Sequence, residues 1–262
     1  TLDNREKYYR EEQSDSFSVK LTEKMYLRTD FKDSIYQQIK ESPLNDSLYY
    51  DYSDFPFYIL KDYIREQFES PLDQVARDFF YKSLGNKYML YHPLKVFNKT
   101  QIAPSYVDKN WRKKEIQGIV QDQGAAMLGG VGGHAGLFAN SRDVAKIMQL
   151  YLNGGHYGGK SYFNQETINT FNTAFYKEEG VRRGIVFDKP QLEDIGPTCG
   201  CISMNSFGHS GYTGAYTWAD PEENLVYVFL TNRTYPDMDN DKIVKENTRT
   251  EIQRMIYDAM VN

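Results

Sequence analysis

Cysteine and histidine are scarce in this 262-residue chain, which contains two cysteines and four histidines. One residue separates Cys199 from Cys201, a spacing that we interpret as too short for an easy disulfide, so we expect free thiols. Two cysteines are too few for a zinc site, and the histidines lack His-x-x-x-His spacing. The sequence therefore predicts no metal site and no cofactor.

Long apolar runs and basic clusters are also missing. The longest purely apolar run, 225–230, has six residues, so we expect no membrane span. The net charge of -5 and the lack of a Lys/Arg-rich run argue against a nucleic-acid partner. The polar start at 1–5 is not a signal peptide, so these residues do not reveal the compartment. Because residue 1 is not methionine, we expect the chain to be a piece of a longer protein.

Apolar residues at helical spacing are common along the chain. Ser70, Ser141 and Asn164 are expected to cap helices, since their side chains can accept hydrogen bonds from first-turn N–H groups. Residues 86–122 lack clear periodicity and are expected to form an irregular excursion. The predicted helices cover, in chain order, 17–26, 31–39, 55–68, 70–85, 141–155, 164–171 and 241–260.

The predicted strands lie in the last third of the chain. The stretch 207–218 is predicted to be a strand, and its glycines mark a place where another backbone or a ligand comes close. A turn at 220–224 leads into an apolar strand at 225–230, which is expected to be buried on both faces. Together they predict a hairpin with one bare, glycine-lined edge, and a further strand is predicted at 183–187.

A small polar triplet, His209-Ser210-Gly211, lies on that predicted edge. A substrate could pair there as an additional strand, although an ordinary edge strand explains the pattern equally well. Taken alone, the triplet does not decide between these interpretations.

A second glycine-dense stretch, 129–138, surrounds His134. No good strand precedes this stretch and no Gly-Lys-Ser/Thr follows it, which argues against a dinucleotide or phosphate loop. A histidine among glycines more often pins a loop through hydrogen bonds than binds a ligand. We therefore interpret His134 as structural.

Three motifs occur in an order that resembles the serine β-lactamase, penicillin-binding-protein and esterase superfamily, closest to its class-C-like branch. Tyr52-Ser53-Asp54 stands in the place of Tyr-x-Asn, the loop 133–138 leads into the Asp143 helix, and His209-Ser210-Gly211 replaces Lys-Thr-Gly. Trp218-Ala219-Asp220-Pro221 and the segment 230–233 follow the last motif. The glycine loop is also similar to the β-lactamase-like module that some bacteria attach behind a family 3 glycoside hydrolase.

The resemblance implies an α+β, layered fold of the β-lactamase/transpeptidase type, incomplete in this chain, with an antiparallel sheet packed by a C-terminal helix. It implies a single partial domain over 1–262, mainly helical at 1–175, with the sheet and closing helix at 176–262. Periplasmic or exported location is implied as well. The implied partners are a small-molecule or peptide substrate and an N-terminal segment or glycoside hydrolase domain of the same polypeptide.

The resemblance also implies roles for individual residues in acyl transfer. Tyr52 would take part in proton transfer beside the nucleophile's lysine, which requires nearby cations that favour the phenolate. The backbone N–H of Tyr212 would form half of the oxyanion hole. His209 would contribute to the catalytic site. The substrate-binding residues would be Asp54, Ser210 and Gly211.

The chain departs from the family at the nucleophile. No serine lies three residues before any lysine, so the Ser-x-x-Lys motif is missing, and Thr29-Asp30-Phe31-Lys32 lies in a charged segment without the expected apolar helix. The simplest explanation is that the motif precedes residue 1. We therefore expect the intact protein to be a serine hydrolase and this chain alone to be inactive.

Two smaller departures bear on the substrate. His209 replaces a lysine that helps β-lactamases hold a carboxylate, and Asp54 replaces an amide, so an anionic β-lactam would be repelled. Both favour an esterase or a peptidase acting on cell-wall-type peptides. Two alternatives remain open: a non-catalytic module that binds peptide or glycan, and an interaction domain whose glycine edge pairs with another chain to form a dimer.

Overall fold

The structure is a computed structural model that describes residues 5–45, 49–193 and 196–260. Its contacts divide the chain into two compact units. Unit 1 comprises residues 1–79 and 90–138, and unit 2 comprises residues 80–89 and 139–262. The single partial domain with a change of character at residue 175 stays a prediction.

Unit 1 combines short sheets with helices. Strands β1, β3 and β2 form one antiparallel sheet in that order, and β4 pairs with β5 in a hairpin. Short 3-10 helices lie at Pro93–Lys95 and Lys99–Gln101, and a π-helical turn at Arg77–Tyr81 follows α4. The main elements are α1 (Arg5–Tyr8), β1 (Tyr9–Arg10), β2 (Val19–Thr22), β3 (Met25–Leu27), α2 (Phe31–Glu41), α3 (Phe55–Phe68), α4 (Leu72–Ala76), β4 (Pro104–Asp108), β5 (Lys114–Gln117) and α5 (Gln123–Met127).

Two sequence-based expectations fail in unit 1. The helix predicted over 17–26 is wrong, because this segment forms β2 and β3, in which Lys20 pairs with Tyr26 and Thr22 with Met25. The prediction that 86–122 is irregular is also wrong in part, because this segment contains the β4–β5 hairpin. The helices predicted over 31–39 and 55–68 are confirmed as α2 and α3.

The core of unit 1 joins the first sheet to α5. Leu21, Leu27 and Ala125 are fully or almost fully buried in one cluster. An ion pair lies in the interior as well, since Arg112 Nε contacts Asp108 Oδ2 at 3.1 Å and both side chains are almost inaccessible. Burial alone would raise the pKa of Asp108, but hydrogen bonds from Tyr106, the backbone and Arg112 lower it to about 2.

Unit 2 contains a three-stranded antiparallel sheet in the order β10-β9-β8. A separate short hairpin joins β6 to β7. The elements of unit 2 are α6 (Ser141–Leu152), β6 (His156–Tyr157), β7 (Lys160–Ser161), α7 (Gln165–Asn172), β8 (Phe207–Ser210), β9 (Tyr216–Asp220), β10 (Leu225–Phe229), α8 (Lys242–Lys245) and α9 (Thr248–Met260).

Helices cover both faces of the β8–β10 sheet. Met148 of α6 packs with Phe207 and Ala219 on one face. Ile252 and Ile256 of α9 pack against a buried aromatic cluster on the other, formed by Tyr216, Trp218 and Tyr227. This layered arrangement confirms the predicted α+β class with a sheet and a closing helix. None of the helices in the described ranges combines the length and apolar character needed to cross a membrane.

Asp220 ties the end of β9 to α9. Its carboxylate accepts hydrogen bonds from the Tyr257 hydroxyl at 2.6 Å and from Ser203 through the hydroxyl at 2.6 Å and the N–H at 2.9 Å. Burial acts to raise the pKa of Asp220, but these hydrogen bonds lower it below its usual value. The closing helix is therefore fixed to the sheet by a buried polar contact as well as by apolar packing.

The helix termini of α6 and α7 show how side chains set their starts. Asn140, rather than the predicted Ser141, caps α6 by accepting the Asp143 N–H at 2.9 Å. Asn164 caps α7 as predicted, accepting the Thr167 N–H at 2.7 Å. Ser70 does not cap α4, whose N-cap is Pro71. The predicted closing helix is divided into α8 and α9.

Three strand predictions are corrected by unit 2. The stretch 207–218 is two paired strands, β8 and β9, with a turn at 211–215 between them. The described residues 183–187 form no strand. The next residue, Asp188, makes an isolated β-bridge to Gly208. The apolar strand β10 is half-buried along most of its length.

The expectation of free thiols is wrong. Cys199 and Cys201 form a disulfide with Cα atoms 5.3 Å apart, inside the usual range for such bonds. The residue between them, Gly200, has φ +72°, a left-handed conformation that glycine adopts without strain. The glycine turns the chain tightly enough to bring the sulfur atoms together.

Candidate active site

The edge strand β8 presents the His209-Ser210-Gly211 triplet at its C-terminal end. Gly208, one residue earlier, exchanges two backbone hydrogen bonds with Asp188, at 2.8 and 3.0 Å. A Cβ atom at Gly208 would lie 2.1 Å from the Thr217 carbonyl oxygen, so only glycine fits. The sheet edge that the sequence predicted to be bare is therefore paired with the backbone of Asp188 at Gly208.

Arg183 contacts the ring of His209. Its Nη1 lies 2.9 Å from His209 Nε2, and His209 Nδ1 lies 2.8 Å from the carbonyl oxygen of Ser210. A guanidinium has only donors, so Nε2 must accept and Nδ1–H must donate to the carbonyl. In this geometry the imidazole is neutral, and the positive charge beside the triplet belongs to Arg183.

Asp188 connects two arginines to this strand. Its carboxylate lies 2.9 Å from Arg182 Nε and 3.5 Å from Arg183 Nη2, and its side chain is almost inaccessible. Since Asp188 also pairs with Gly208 through its backbone, one residue fixes both the guanidinium and the strand that carries His209. Arg183 is thereby held against the candidate site.

The turn after β8 leaves a backbone donor available. Gly211 N–H donates to the Ala215 carbonyl at 2.7 Å and Gly214 N–H to the Gly211 carbonyl at 2.9 Å. The carbonyl of Tyr212 accepts from Arg233 Nε at 2.9 Å. Within the described ranges, the Tyr212 N–H makes no hydrogen bond. This N–H can therefore donate to a ligand.

The remaining predicted site residues lie in unit 1, immediately before α3. Tyr52 is 57% exposed, and Asp54 occupies the N-cap position of α3 without a capping side-chain hydrogen bond. The Ser53 hydroxyl accepts the Phe55 N–H at 3.2 Å. Tyr52 and Asp54 thus stand at the start of a well-formed helix.

The glycine loop of unit 1 is packed against that helix start. A Cβ atom at Gly133 would lie 2.3 Å from the Phe57 carbonyl oxygen. His134 stacks on Tyr58, with ring centroids 4.4 Å apart, and its Nε2 lies 2.9 Å from Asp122 Oδ1. The interpretation of His134 as a residue that pins the loop is confirmed, and the loop in turn fixes the segment that follows Tyr52 and Asp54.

The structure brings four predicted site residues together in one hairpin of unit 2: His209, Ser210, Gly211 and Tyr212. Tyr52 and Asp54 share the segment before α3 in unit 1. The sequence-based set did not contain Arg183. Its only signal in the sequence is an arginine pair ahead of Asp188. The contact that reveals the position of Arg183 joins residues 26 positions apart.

Comparison with known proteins identifies the family of the chain. Residues 10–248 match the Beta-lactamase family, so the chain belongs to that family. A protein of Salmonella enteritidis named "Putative D-alanyl-D-alanine carboxypeptidase" is 33% identical over 227 residues, which cover 81% of this chain and 52% of the relative. The protein of the same name from Escherichia coli is 33% identical over 76% of this chain and 49% of the relative. The chain thus spans about half the length of these curated relatives.

Solved structures show the same fold at low sequence identity. A mutant simvastatin synthase from Aspergillus terreus matches 88% of this chain and 60% of its own, with a TM-score of 0.57 and 15% identity. A penicillin-binding-protein homologue from Caulobacter crescentus matches 76% of this chain and 58% of its own, with a TM-score of 0.53 and 16% identity. The chain therefore belongs to the Beta-lactamase family and has a β-lactamase-like fold.

Proposed function

We propose that this chain supplies part of the active site of a serine hydrolase that cleaves cell-wall-type peptides ending in a free carboxylate, by way of an acyl-enzyme. The observation that carries the proposal is the Arg183–His209 contact beside the Ser210-Gly211 edge. An arginine presents donors that suit a carboxylate, and a neutral histidine next to it adds no second charge. The name of the relatives from Salmonella and Escherichia coli, D-alanyl-D-alanine carboxypeptidase, supports a substrate of this kind.

The proposed reaction is acyl transfer in two steps. A serine Oγ would attack the carbonyl carbon of the scissile amide, while Tyr52 relays the serine proton to the departing amine. The Tyr212 N–H would donate to the developing oxyanion. Water would then hydrolyse the ester, returning the proton to serine and releasing the acid. Asp54, Ser210 and Gly211 would contact the substrate.

The nucleophile and its lysine are proposed to lie outside this chain. No serine stands three residues before a lysine in the sequence, and the chain corresponds to about half of its curated relatives. The chain alone would then hold the substrate-facing residues without the atom that attacks.

Covalent labelling tests both parts of the proposal. This chain and a longer form of the polypeptide that includes a Ser-x-x-Lys segment are treated with a fluorophosphonate and with a fluorescent penicillin. We expect label on the longer form and none on this chain. Label on this chain alone would overturn the location of the nucleophile. If the longer form stays unlabelled and hydrolyses neither peptide nor ester, the proposal that the protein is an enzyme is wrong.

A second candidate function is a non-catalytic module that binds peptide or glycan. Exposed aromatic side chains before α3, those of Tyr49, Tyr50 and Tyr52, favour this possibility because such rings stack on sugars and peptide planes. Calorimetric titration of this chain with cell-wall peptides and with glycan oligomers tests it. Tight binding by a protein whose longer form never labels would favour the module over the enzyme.

A further inference from the structure

A cavity of about 360 Å³ opens between α7 and the segment that precedes β8 in unit 2. Asn172 and Asn205 form its polar wall, and Leu192 and Met204 form an apolar wall. The charged residues among its described lining are Lys177, Arg182 and Lys189, all of them cationic. None of these residues has a role in the proposed hydrolysis.

Lys189 is the buried cation of this cavity. Its side chain is 7% exposed, and Nζ donates to Asn172 Oδ1 at 2.7 Å and to the Asn205 carbonyl at 3.1 Å. Asn172 is itself fixed, because its Nδ2 donates to the same carbonyl at 3.0 Å. A lysine ammonium carries three donors, and two are used here. One N–H of Lys189 is left without a partner in the part of the chain that the structure describes.

The charges around the cavity do not balance. Asp188 neutralises Arg182, which also donates to the Lys189 carbonyl at 3.2 Å. Lys189 has no carboxylate within ion-pair distance among the described residues, and its two partners are neutral. Lys177 adds a second positive charge at the exposed rim. An ammonium that is buried without a counter-ion is unfavourable, so this site is suited to receive an anion.

Burial also lowers the pKa of Lys189 to about 8. The ammonium form therefore still predominates at pH 7. An anion that binds at Nζ would meet a positive charge in a partly desolvated site.

We propose that this cavity binds a small molecule through a carboxylate or phosphate group, with the oxyanion on Lys189 Nζ and the rest of the ligand against Leu192 and Met204. The rim lysine Lys177 attracts the anion at longer range. The apolar wall accommodates a short aliphatic or sugar-like portion, which favours a small organic acid or phosphate ester over a free inorganic ion.

Thermal denaturation of the complete chain at pH 7 tests the proposal with three probes: acetate, butyrate and inorganic phosphate, each against sodium chloride of equal ionic strength. A ligand that binds only the folded state raises the melting temperature in proportion to the logarithm of its concentration. We expect such a rise with at least one probe, and the comparison of acetate with phosphate identifies the anionic group. Butyrate should bind more tightly than acetate because its chain reaches the apolar wall.

Two variants and a control keep the test specific. Lys189→Met should weaken binding about tenfold or more, as expected for a lost charged hydrogen bond. Met204→Trp, at a half-exposed position, should fill the cavity and abolish binding while the Lys189 contacts remain, which keeps the test open if Lys189→Met does not fold. Lys245→Met removes an exposed lysine of α8 and should bind like the wild type. Equal responses in all four proteins, or no response to any probe, would overturn the proposal.

Discussion

Arg183 Nη1 lies 2.9 Å from His209 Nε2, so a guanidinium and an imidazole share one hydrogen bond at the edge of the β8–β10 sheet. The contact fixes the tautomer of His209, because the arginine can only donate. At the position where the family resemblance implies a lysine, the candidate site thus contains the neutral ring of His209, with the Arg183 guanidinium next to it. In the proposed site, the arginine would provide the charge and the histidine a hydrogen-bonding face, two tasks that one lysine would combine.

The first prediction concerns this cation. In a form of the protein that labels with serine probes, Arg183→Met should lower kcat/KM about 10- to 100-fold for peptides with a free C-terminal carboxylate, since one charged hydrogen bond is lost. The same peptides with an amidated C-terminus should lose little. Arg183→Lys should recover part of the activity, because it keeps the charge.

Arg182→Met is the matched control for the Arg183 variant. Arg182 shares Asp188 with Arg183, and its Nε donates to the Lys189 carbonyl oxygen at 3.2 Å. It should leave the ratio of carboxylate to amide substrates close to that of the wild type. A fall that is equal for both substrates in Arg183→Met would show that Arg183 acts on the fold rather than on the carboxylate.

The second prediction compares two glycines of one hairpin. Gly208→Ala should destabilise the protein by about 1–3 kcal/mol, because the new Cβ atom would lie 2.1 Å from the Thr217 carbonyl oxygen and 2.6 Å from the Trp218 ring. Gly211→Ala should be nearly neutral for stability, because its Cβ would make only ordinary contacts with Ala215, at 3.5 Å from Cβ and 3.9 Å from the carbonyl oxygen. Urea unfolding measures both. A Gly208→Ala protein as stable as the wild type would contradict the close approach of the strands.

The third prediction concerns the buried ion pair of unit 1. Arg112→Met should cost about 3–5 kcal/mol of unfolding free energy, because it leaves the Asp108 carboxylate buried without its partner. Lys99→Met, which breaks an exposed pair with Glu115 at 3.6 Å, should cost less than about 1 kcal/mol. Chemical denaturation of both variants measures the two changes in unfolding free energy. Similar costs for the two substitutions would mean that burial adds nothing to the Arg112 contact.

Local patterns in the sequence predicted those elements that local interactions determine. The apolar positions of α3 recur with helical period, and Asn164 can cap α7 with its own side chain, so neither feature depends on distant residues. The helix prediction for 17–26 was wrong because the segment has only weak helical periodicity and forms two short strands, whose pairing is determined by a tight turn. The prediction of free thiols at Cys199 and Cys201 was wrong because the spacing alone does not reveal the tight turn that Gly200 allows.

The site was predictable as far as motifs extend. His209, Ser210, Gly211 and Tyr212 are contiguous, so a motif places them on one hairpin. Arg183 could not be found in this way, because its position depends on Asp188 pairing with Gly208 across the sheet edge. Such a contact is tertiary, and no periodicity in the intervening residues reveals it.

The fourth prediction follows from the buried ammonium of Lys189. Its pKa is about 8 in the folded protein and 10.5 as a free side chain, so between these pH values the unfolded chain binds more protons than the folded chain. Raising the pH through this window should therefore stabilise the wild type relative to Lys189→Met, by up to about 3 kcal/mol. This stabilisation is complete above pH 10.5 and is lost as the pH falls through 8. Urea unfolding of both proteins from pH 7 to 11 measures the difference, in which the tyrosine titrations common to both cancel. A difference that stays constant or falls with rising pH would mean that Lys189 is solvated in the folded state, and an anion would then gain nothing from its burial.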